Sequence, residues 1–99
     1  MAVKHVSVLD WKIVPFRGEA FYKLWKPACE RALSFGAKSW SLTRSEDNPL
    51  IFRQTIVWDR KSDFENYWAS DEISRAREEV MSYYDKPLLP AWFEQLAAE

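Results

Sequence analysis

The chain has 99 residues and a formal net charge of −1, and its acidic and basic residues are interspersed. This length is enough for one domain, so residues 1–99 are expected to fold as a single unit. The charge pattern gives neither the basic patch that binds nucleic acid nor the polybasic segment that binds a membrane surface. No apolar run approaches membrane-spanning length, and Met1–Lys12 lacks the long apolar region of a signal peptide. We therefore expect a cytoplasmic protein whose partners are neither nucleic acid nor membrane.

The aromatic content is high for so short a chain, with six Trp, six Phe and four Tyr. Burial of one aromatic side chain removes about 150–250 Å² from water. One small core does not readily hide all of them, and a domain of this size gains stability from oligomerisation. The composition therefore predicts a second buried surface, which is a subunit interface, a ligand cavity or both.

The first predicted elements are a strand and a helix. Val3–Val14 is rich in β-prone residues and carries apolar residues on both faces, which is typical of a strand covered on both sides, and Pro15 ends it. From Gly18 the apolar spacing becomes helical, Pro27 predicts a kink, and Gly36 is a natural residue to end the helix. The residues at helical spacing are Phe21, Leu24, Trp25, Ala28, Ala32, Leu33 and Phe35.

Two further strands, Ala37–Ser45 and Leu50–Trp58, are predicted on either side of the polar turn at residues 46–49. A polar turn between two β-prone runs is typical of a hairpin. One face of the second of these strands is apolar except for a single amide, Gln54. That face consists of Leu50, Phe52, Gln54, Ile56 and Trp58.

Two caps predict that the second helical region is broken in two. Ser62 and Glu65 have the spacing of a capping box, in which each side chain satisfies a free backbone amide at a helix start. Ser70 followed by Asp71 predicts a second start. One side of the helix that follows is apolar except for a single guanidinium group. That side consists of Ile73, Ala76, Arg77, Val80, Met81 and Tyr84.

The end of the chain decides the topology. Pro87 and Pro90 do not allow the helix to continue. Ala91–Ala97 fits either a helix or a strand: propensity leans helical, whereas the order of the other elements favours a strand. With that strand the chain is β-α-β-β-α-β, an α+β, ferredoxin-like fold with a four-stranded antiparallel sheet. Helices on one face leave the other face bare, and a second copy of the chain would cover it most simply.

Three segments in the second half of the chain carry a resemblance to a known family. Val57–Asp59, Asp63–Asp71 and Ala76–Arg77 resemble the dimeric α+β-barrel superfamily, and within it the antibiotic-biosynthesis-monooxygenase-like domains. In element order the resemblance covers nearly the whole chain. It implies a single domain of this kind that forms a homodimer, with the two sheets packed into a barrel and a pocket between each sheet and its helices.

This resemblance also implies a chemistry. Monooxygenases of the family oxidise electron-rich aromatic substrates with O₂ and use neither flavin nor metal, because a deprotonated, delocalised substrate can itself give an electron to O₂. The protein then supplies a dry pocket, a fixed orientation and polar groups that stabilise the anion. The implied ligand is a small aromatic or apolar molecule, and the implied activity is that of an oxidoreductase without a cofactor.

The haem-degrading branch of the family does not fit the chain. That branch carries a Trp on the helix after the third strand and, ten positions later, a His that binds iron. These positions fall on Tyr67 and Arg77, with Trp68 next to the first. A guanidinium group stays protonated and has no lone pair for iron. The Asn of the branch's first strand is replaced by Asp10 or Trp11, so haem degradation by that route is not expected.

The remaining residues give no other reactive constellation. Cys29 is the only cysteine and His5 the only histidine, which excludes a disulfide, a thiolate cluster and a His-rich metal site. The two glycines, Gly18 and Gly36, are isolated and form no phosphate-binding loop. We expect a protein without metal or bound cofactor, in which Cys29 is a small buried hydrophobe.

Five side chains form the predicted ligand-binding site, namely Trp11, Gln54, Tyr67, Trp68 and Arg77. Trp11 and Tyr67 would give apolar walls, and Gln54 and Arg77 would orient an anionic or carbonyl-bearing aromatic. Each also has a structural interpretation, with the aromatics in the core or an interface, Gln54 bonded to backbone groups and Arg77 reaching a surface carboxylate. No catalytic residue is identified. The alternatives to an enzyme are a non-catalytic homodimer that binds a small molecule and an interaction module.

Overall fold

The computed structural model describes residues 3–85 and 88–98, and its elements follow the order β-α-β-β-α-α-β. Short 3₁₀ turns extend the first helix and follow the last one. Within these residues, no helix is both long enough and apolar enough to cross a membrane. The strands are β1 (Lys4–Lys12), β2 (Ala37–Arg44), β3 (Ile51–Trp58) and β4 (Ala91–Gln95), and the helices are α1 (Gly18–Arg31), α2 (Lys61–Ala69) and α3 (Asp71–Val80).

The four strands form one antiparallel sheet in the spatial order β2-β3-β1-β4. This is the predicted ferredoxin-like α+β fold. The ambiguous segment near the end of the chain is a strand, as the topology argument expected, because Ala91–Gln95 pairs along β1 with Phe93 opposite Val6. Pairing with a central strand outweighs helical propensity here. The helix stop predicted at Pro87 lies outside the described residues.

The core lies between one face of the sheet and the helices. Side chains alternate along a strand, so every second residue of β1 and β3 is buried. Trp58 is one of them, and its indole Nε1–H donates to the hydroxyl of buried Ser7 at 3.0 Å. The other side chains on this face that are at most 4% exposed are Leu9, Trp11, Phe52, Gln54 and Ile56.

Thirteen of the sixteen aromatic side chains are buried in this core or packed against it. Rings from the sheet and from α1 meet at an angle, with centroids 5.1 Å apart for Trp11 and Phe21. Tilted and edge-to-face contacts let many rings share one layer. Seven of these rings are buried and six are partly buried, so the core accommodates much of the aromatic content and leaves part of its surface exposed. Phe16, Tyr22 and Phe93 are the exposed ones.

The predicted end of the first helical segment is confirmed at Gly36. α1 continues through Pro27, and the chain then tightens into a 3₁₀ turn over residues 32–35. Gly36 follows with a φ of 105°, a left-handed conformation that glycine adopts without a steric penalty. Its N–H bonds back to the carbonyl oxygens of Ala32 and Leu33, which closes the segment before β2.

The two caps predicted for the second helical region have different outcomes. The cap at Ser70 is confirmed, since its Oγ accepts from the backbone N–H of Ile73 at the start of α3. The capping box of Ser62 and Glu65 is wrong. α2 begins at Lys61, and only two residues separate it from the end of β3, so Ser62 falls in its first turn. The cap residue is Arg60, and no side-chain hydrogen bond is made there.

The opposite face of the sheet carries no helix among the described residues. Val6 and Val8 lie at its centre on β1, and Phe93 of β4, opposite Val6, is 58% exposed. Asp10 and Arg53 border this apolar area with an ion pair of 2.7 Å between Oδ1 and Nε. The bare sheet face that the sequence predicted is therefore present.

Gly36→Ala is expected to lower the free energy of unfolding by about 1–2 kcal/mol. The left-handed φ strains any residue with a Cβ, and the Cβ would lie only 2.9 Å from Oδ2 of Asp63. Urea unfolding measures the loss. Gly18→Ala is the matched control, because its φ is not left-handed and its Cβ would meet Phe52 Cζ at 3.4 Å. Equal losses in the two variants would contradict this account of Gly36.

Candidate functional site

A buried polar network joins the sheet to two helices. Gln54 on β3 is 1% exposed, and its Nε2–H donates to the Tyr67 hydroxyl at 3.1 Å. The Tyr67 hydroxyl, on α2, donates in turn to the carbonyl oxygen of Ala28 on α1 at 2.6 Å. One oxygen atom therefore connects three of the elements that enclose the core.

The Ala28 carbonyl is available because α1 changes its hydrogen-bonding pattern there. In a continuous α-helix this oxygen would accept from the N–H of Ala32. The Ala32 N–H bonds instead to the carbonyl of Cys29, as in a 3₁₀ turn. The Tyr67 hydroxyl supplies the missing donor. Sequence reasoning missed this acceptor, although Ala28 and Cys29 follow Trp25 by three and four residues and so share its buried face.

Three polar atoms in the same layer have no hydrogen-bond partner among the described residues, namely Nε1 of Trp11, Nε1 of Trp25 and Oε1 of Gln54. All three side chains are at most 1% exposed, so bulk solvent does not reach them. The rings of Trp11 and Trp25 lie 4.7 Å apart. Gln54 pairs with Leu9 and is therefore diagonal to Trp11 on the same sheet face. Two donors and one acceptor thus remain unsatisfied within one small region.

Trp68 and Arg77 form the outer part of the predicted site. The Arg77 guanidinium lies over the Trp68 ring, 4.6 Å from its centroid, and donates to the Trp68 carbonyl at 3.4 Å. The Trp68 ring meets Trp25 edge-on at 6.0 Å and stacks on Phe64 at 5.6 Å. None of the ion pairs of the described residues includes Arg77. Its main contact is therefore an aromatic face.

Cys29 and Tyr67 hold their protons at neutral pH. Burial is the main cause that raises the pKa of the Cys29 thiol from 9.0 to about 12, and the nearby Gln54 amide offsets part of this effect. Burial likewise raises the pKa of the Tyr67 hydroxyl above its ordinary value of 10.0. A protonated thiol is a poor nucleophile, and neither group acts as a general base at neutral pH.

The carboxylates with lowered pKa values belong to surface ion pairs. Asp59 accepts from Lys4 at 2.5 Å and from Lys38 at 3.0 Å, and these bonds lower the pKa of its carboxyl group. The bond from Arg53 does the same for Asp10. Across residues 3–85 and 88–98, no group of three or more His, Cys, Asp or Glu side chains gathers as potential metal ligands.

Three open cavities of the described part of the chain lie outside the aromatic layer, which consists of Trp11, Trp25, Gln54, Tyr67 and Trp68. Their volumes are about 310, 300 and 360 Å³, and they lie at the ends of β2 and β3 and on the bare sheet face. None of the three is lined by a residue of the predicted site. The structure joins Gln54 to Tyr67 and Trp68 to Arg77, and it places Trp11 one ring away from Trp68. Aromatic rings fill the space between them in this conformation.

The similarity of this chain to known proteins lies in its structure. No family model and no curated protein matches the chain. A Nitrosomonas europaea protein with the provisional name of an antibiotic biosynthesis monooxygenase superposes with a TM-score of 0.89 at 15% identity, over 97% of this chain and 93% of that chain. A Caulobacter crescentus CB15 protein with the same provisional name gives 0.86 at 12% identity, over 97% and 92%. A conserved protein from Methanosarcina mazei Go1 gives 0.84 at 17% identity, over 93% and 92%.

These superpositions confirm the fold that the sequence resemblance implied. Identities of 12–17% establish a shared architecture, and function has to be argued from the residues of the site. The chain has the α+β fold of the antibiotic-biosynthesis-monooxygenase-like proteins over nearly its whole length.

The stability of the protein is expected to fall as the pH rises above about 9, because Cys29 and Tyr67 keep protons in the folded state that the unfolded chain releases. Between the unfolded and folded pKa values the unfolded state binds fewer protons, so the free energy of unfolding decreases by up to about 1.4 kcal/mol per pH unit and group. Urea unfolding from pH 8 to 11 measures the slope. Cys29→Ala should make it shallower, because it removes one of the two groups whose pKa burial raises. An unchanged slope in Cys29→Ala would contradict the assignment.

Proposed function

We propose that this protein binds a small aromatic molecule in the layer between its sheet and its helices and oxidises it with O₂ as a monooxygenase-like homodimer. The observation that carries the proposal is the set of unpartnered buried atoms, Nε1 of Trp11 and of Trp25 and Oε1 of Gln54. Each costs about 1–3 kcal/mol, and a core packed for stability alone gains nothing from them. A ligand with carbonyl or phenolic oxygens would satisfy both donors, and a ligand hydroxyl would satisfy the acceptor.

The ligand would enter where Trp68 and Arg77 close the layer. Trp68 is partly exposed and covers the edge of the Trp25 contact. Rotation of Trp68 would uncover the buried ring, and the guanidinium that now lies over Trp68 would then face the bound molecule. Its positive charge favours an anionic or carbonyl-bearing aromatic. The return of Trp68 would exclude water from the reacting atoms.

The proposed reaction uses the substrate itself as the electron donor. A methylene group that is flanked by aromatic rings and conjugated through them to a carbonyl loses a proton and gives electrons to O₂; one oxygen atom enters the substrate as a new carbonyl, and the other leaves as water with the two hydrogens of the methylene group. Donation from Nε1 of Trp11 and Trp25 would stabilise the substrate oxyanion in a low-dielectric layer. The provisional names of the structural neighbours from Nitrosomonas europaea and Caulobacter crescentus support this class of reaction.

A non-catalytic binding protein is the second candidate. The raised pKa of the Cys29 thiol and of the Tyr67 hydroxyl favours it, because these groups cannot accept the substrate proton at neutral pH. An enzyme with this layer would depend on substrates acidic enough to ionise without a strong base. The same unsatisfied donors would serve simple binding equally well.

The bare sheet face supports the homodimer. Val6, Val8 and Phe93 form an apolar area at its centre, and the Asp10–Arg53 ion pair lies at its border. An isologous contact places each such surface against its own copy, so the apolar areas would meet and the charged groups would stay at the rim. The dimer is thus proposed to use the face opposite the aromatic layer, which leaves the entry beside Trp68 open.

Arg77→Met is expected to abolish binding and to leave stability within about 1 kcal/mol of the unchanged protein, the magnitude of an exposed cation–π contact. Anthrone is the probe, with binding followed by tryptophan fluorescence and turnover by O₂ uptake above the spontaneous rate. Arg75→Met, an exposed arginine on the same helix, is the matched control and should bind normally. If Arg77→Met unfolds readily while binding per folded molecule is intact, Arg77 is structural and the entry argument is wrong.

The same titration separates the two candidate functions. Binding of anthrone that depends on Arg77, together with O₂ uptake above the spontaneous rate, supports the monooxygenase. Binding that depends on Arg77 without added O₂ uptake supports the non-catalytic protein and contradicts the enzymatic proposal.

Sedimentation at micromolar concentration is expected to give about twice the mass of one chain. Val8→Lys places a charge at the centre of the bare sheet face and should reduce the mass to that of one chain, because burial of an unpaired charge is strongly unfavourable. Leu33→Lys introduces the same charge at an exposed position on the helix side and should leave the dimer unchanged. A monomeric parent protein would refute the dimer.

A further inference from the structure

A groove at one corner of the fold takes no part in the proposed reaction. Its volume is about 310 Å³, and it lies between the first turn of α1 and the adjoining ends of β2 and β3. Its apolar lining comes from Tyr22, Leu42 and Phe52, and Gly18 leaves open the space that a larger side chain would fill. This volume is at the small end of the range for ligand pockets, about 300–1,000 Å³.

Opposite charges stand at the two sides of this groove. Arg44 lines it from β2, with its guanidinium carbon 5.9 Å from the centroid of the Phe52 ring, and Glu19 lines it from α1. None of the ion pairs of the described residues includes Arg44 or Glu19. A second cavity of about 300 Å³ shares Arg44 and Thr43 with the groove, so Arg44 lines open space in both.

The turn before the groove provides a second, independent observation that favours a functional role for this corner of the fold. Phe16, two residues before Gly18, has a φ of 71° and a fully exposed ring. A bulky residue in the left-handed region is strained, and such strain concentrates at functional positions. No burial of the ring compensates for it.

We propose that the groove binds a small carboxylic acid with an aromatic or branched apolar body. The carboxylate pairs with the Arg44 guanidinium, and the apolar body lies on Tyr22, Leu42 and Phe52. Glu19 repels the carboxylate from the α1 side and so fixes the orientation of the ligand. A guanidinium group matches a carboxylate with two parallel hydrogen bonds, which a neutral ligand of the same shape lacks.

This site is independent of the aromatic layer and of the proposed dimer. Leu42 pairs with Gln54, and Arg44 pairs with Phe52, so all three residues of the groove lie on the helix-side face of the sheet. A second copy on the bare face therefore does not cover them. The groove contains none of Trp11, Trp25 or Trp68. A result against binding in the groove would therefore not contradict the proposed oxidation, and a result against the oxidation would not contradict binding in the groove.

A ¹⁵N–¹H NMR titration with 3-phenylpropionate tests the proposal, with 3-phenylpropionamide as the uncharged ligand of the same shape. The acid is expected to shift the amide signals of Gly18, Tyr22 and residues 42–44 and to bind about fivefold more tightly than the amide. Fivefold corresponds to about 1 kcal/mol, the upper end for an exposed ion pair. Arg44→Gln should abolish the preference for the acid, so that the acid binds no more tightly than the amide, whereas Arg75→Gln, on α3, should keep the fivefold difference.

Gly18→Leu is the second variant, since its side chain would occupy the groove beside Phe52. It should weaken both ligands by the same factor. Three results would each overturn the proposal: equal binding of acid and amide by the parent protein, an unchanged ratio in Arg44→Gln, or shifts confined to the indole N–H signals of Trp11 and Trp25. The last result would place the ligand in the aromatic layer.

Discussion

The interior of this fold depends on the two hydrogen bonds of the Tyr67 hydroxyl group. This hydroxyl group is the acceptor for the Gln54 amide of the sheet and the donor to the Ala28 carbonyl of α1. That carbonyl is free only because α1 tightens at Ala32, and the tightened segment must then end in the left-handed conformation of Gly36. The hydrogen bond of one buried tyrosine therefore occurs together with the tightened turn and the left-handed glycine that lead the chain into β2.

The aromatic layer around this bond is dense but not fully satisfied. Trp58 finds an acceptor in Ser7, which shows that the sheet can supply a hydroxyl where an indole N–H is buried. Trp11 and Trp25 find none in the described part of the chain, although they lie in the same core. Hydroxyl side chains at neighbouring positions would remove this cost of about 1–3 kcal/mol for each group. The indole of Trp58 has an acceptor, whereas those of Trp11 and Trp25 have none among the described residues. This difference favours a ligand beside Trp11 and Trp25 and a purely structural core around Trp58.

Most of the architecture follows from patterns that the sequence displays directly. Alternation along β1 and β3, the helical spacing after Gly18 and the Ser70 cap each reflect local geometry, so they survive folding. The capping box at Ser62 failed because the end of β3 fixes where α2 begins, and pairing of strands is not visible in a four-residue motif. Contacts within the site were predictable only in part. Gln54 stood out as a polar residue on an apolar strand face, but its hydrogen-bond partner is the Tyr67 hydroxyl of α2 and not the backbone groups of the structural interpretation.

The groups that sequence reasoning missed depend on positions far apart in the chain. The backbone carbonyl of Ala28 has no side-chain signature, and its role follows from a change in helix type. The sequence also gives no sign that the Nε1–H of Trp25 lacks a partner among the described residues. A tryptophan at helical spacing is predicted to lie in the core whether or not its Nε1–H has a partner. Seven aromatic rings are buried in the core and six more are partly buried against it, so the second buried surface that the aromatic content predicted stays a prediction. The case for a dimer now rests on the valines of the bare sheet face.

The electrostatics of the aromatic layer restrict the ligand that it would hold. The burial that raises the pKa of Cys29 and Tyr67 would equally raise the pKa of a phenol or an acidic carbon bound beside them. Neutral indole donors offset part of this penalty but carry no charge. The contact with Trp68 holds the Arg77 guanidinium at the edge of the layer. Its positive charge would stabilise an ionised ligand there. A bound molecule would therefore enter neutral, and the loss of its proton would depend on the indole donors of Trp11 and Trp25 at its oxygen and on the positive charge of Arg77 at the edge of the layer.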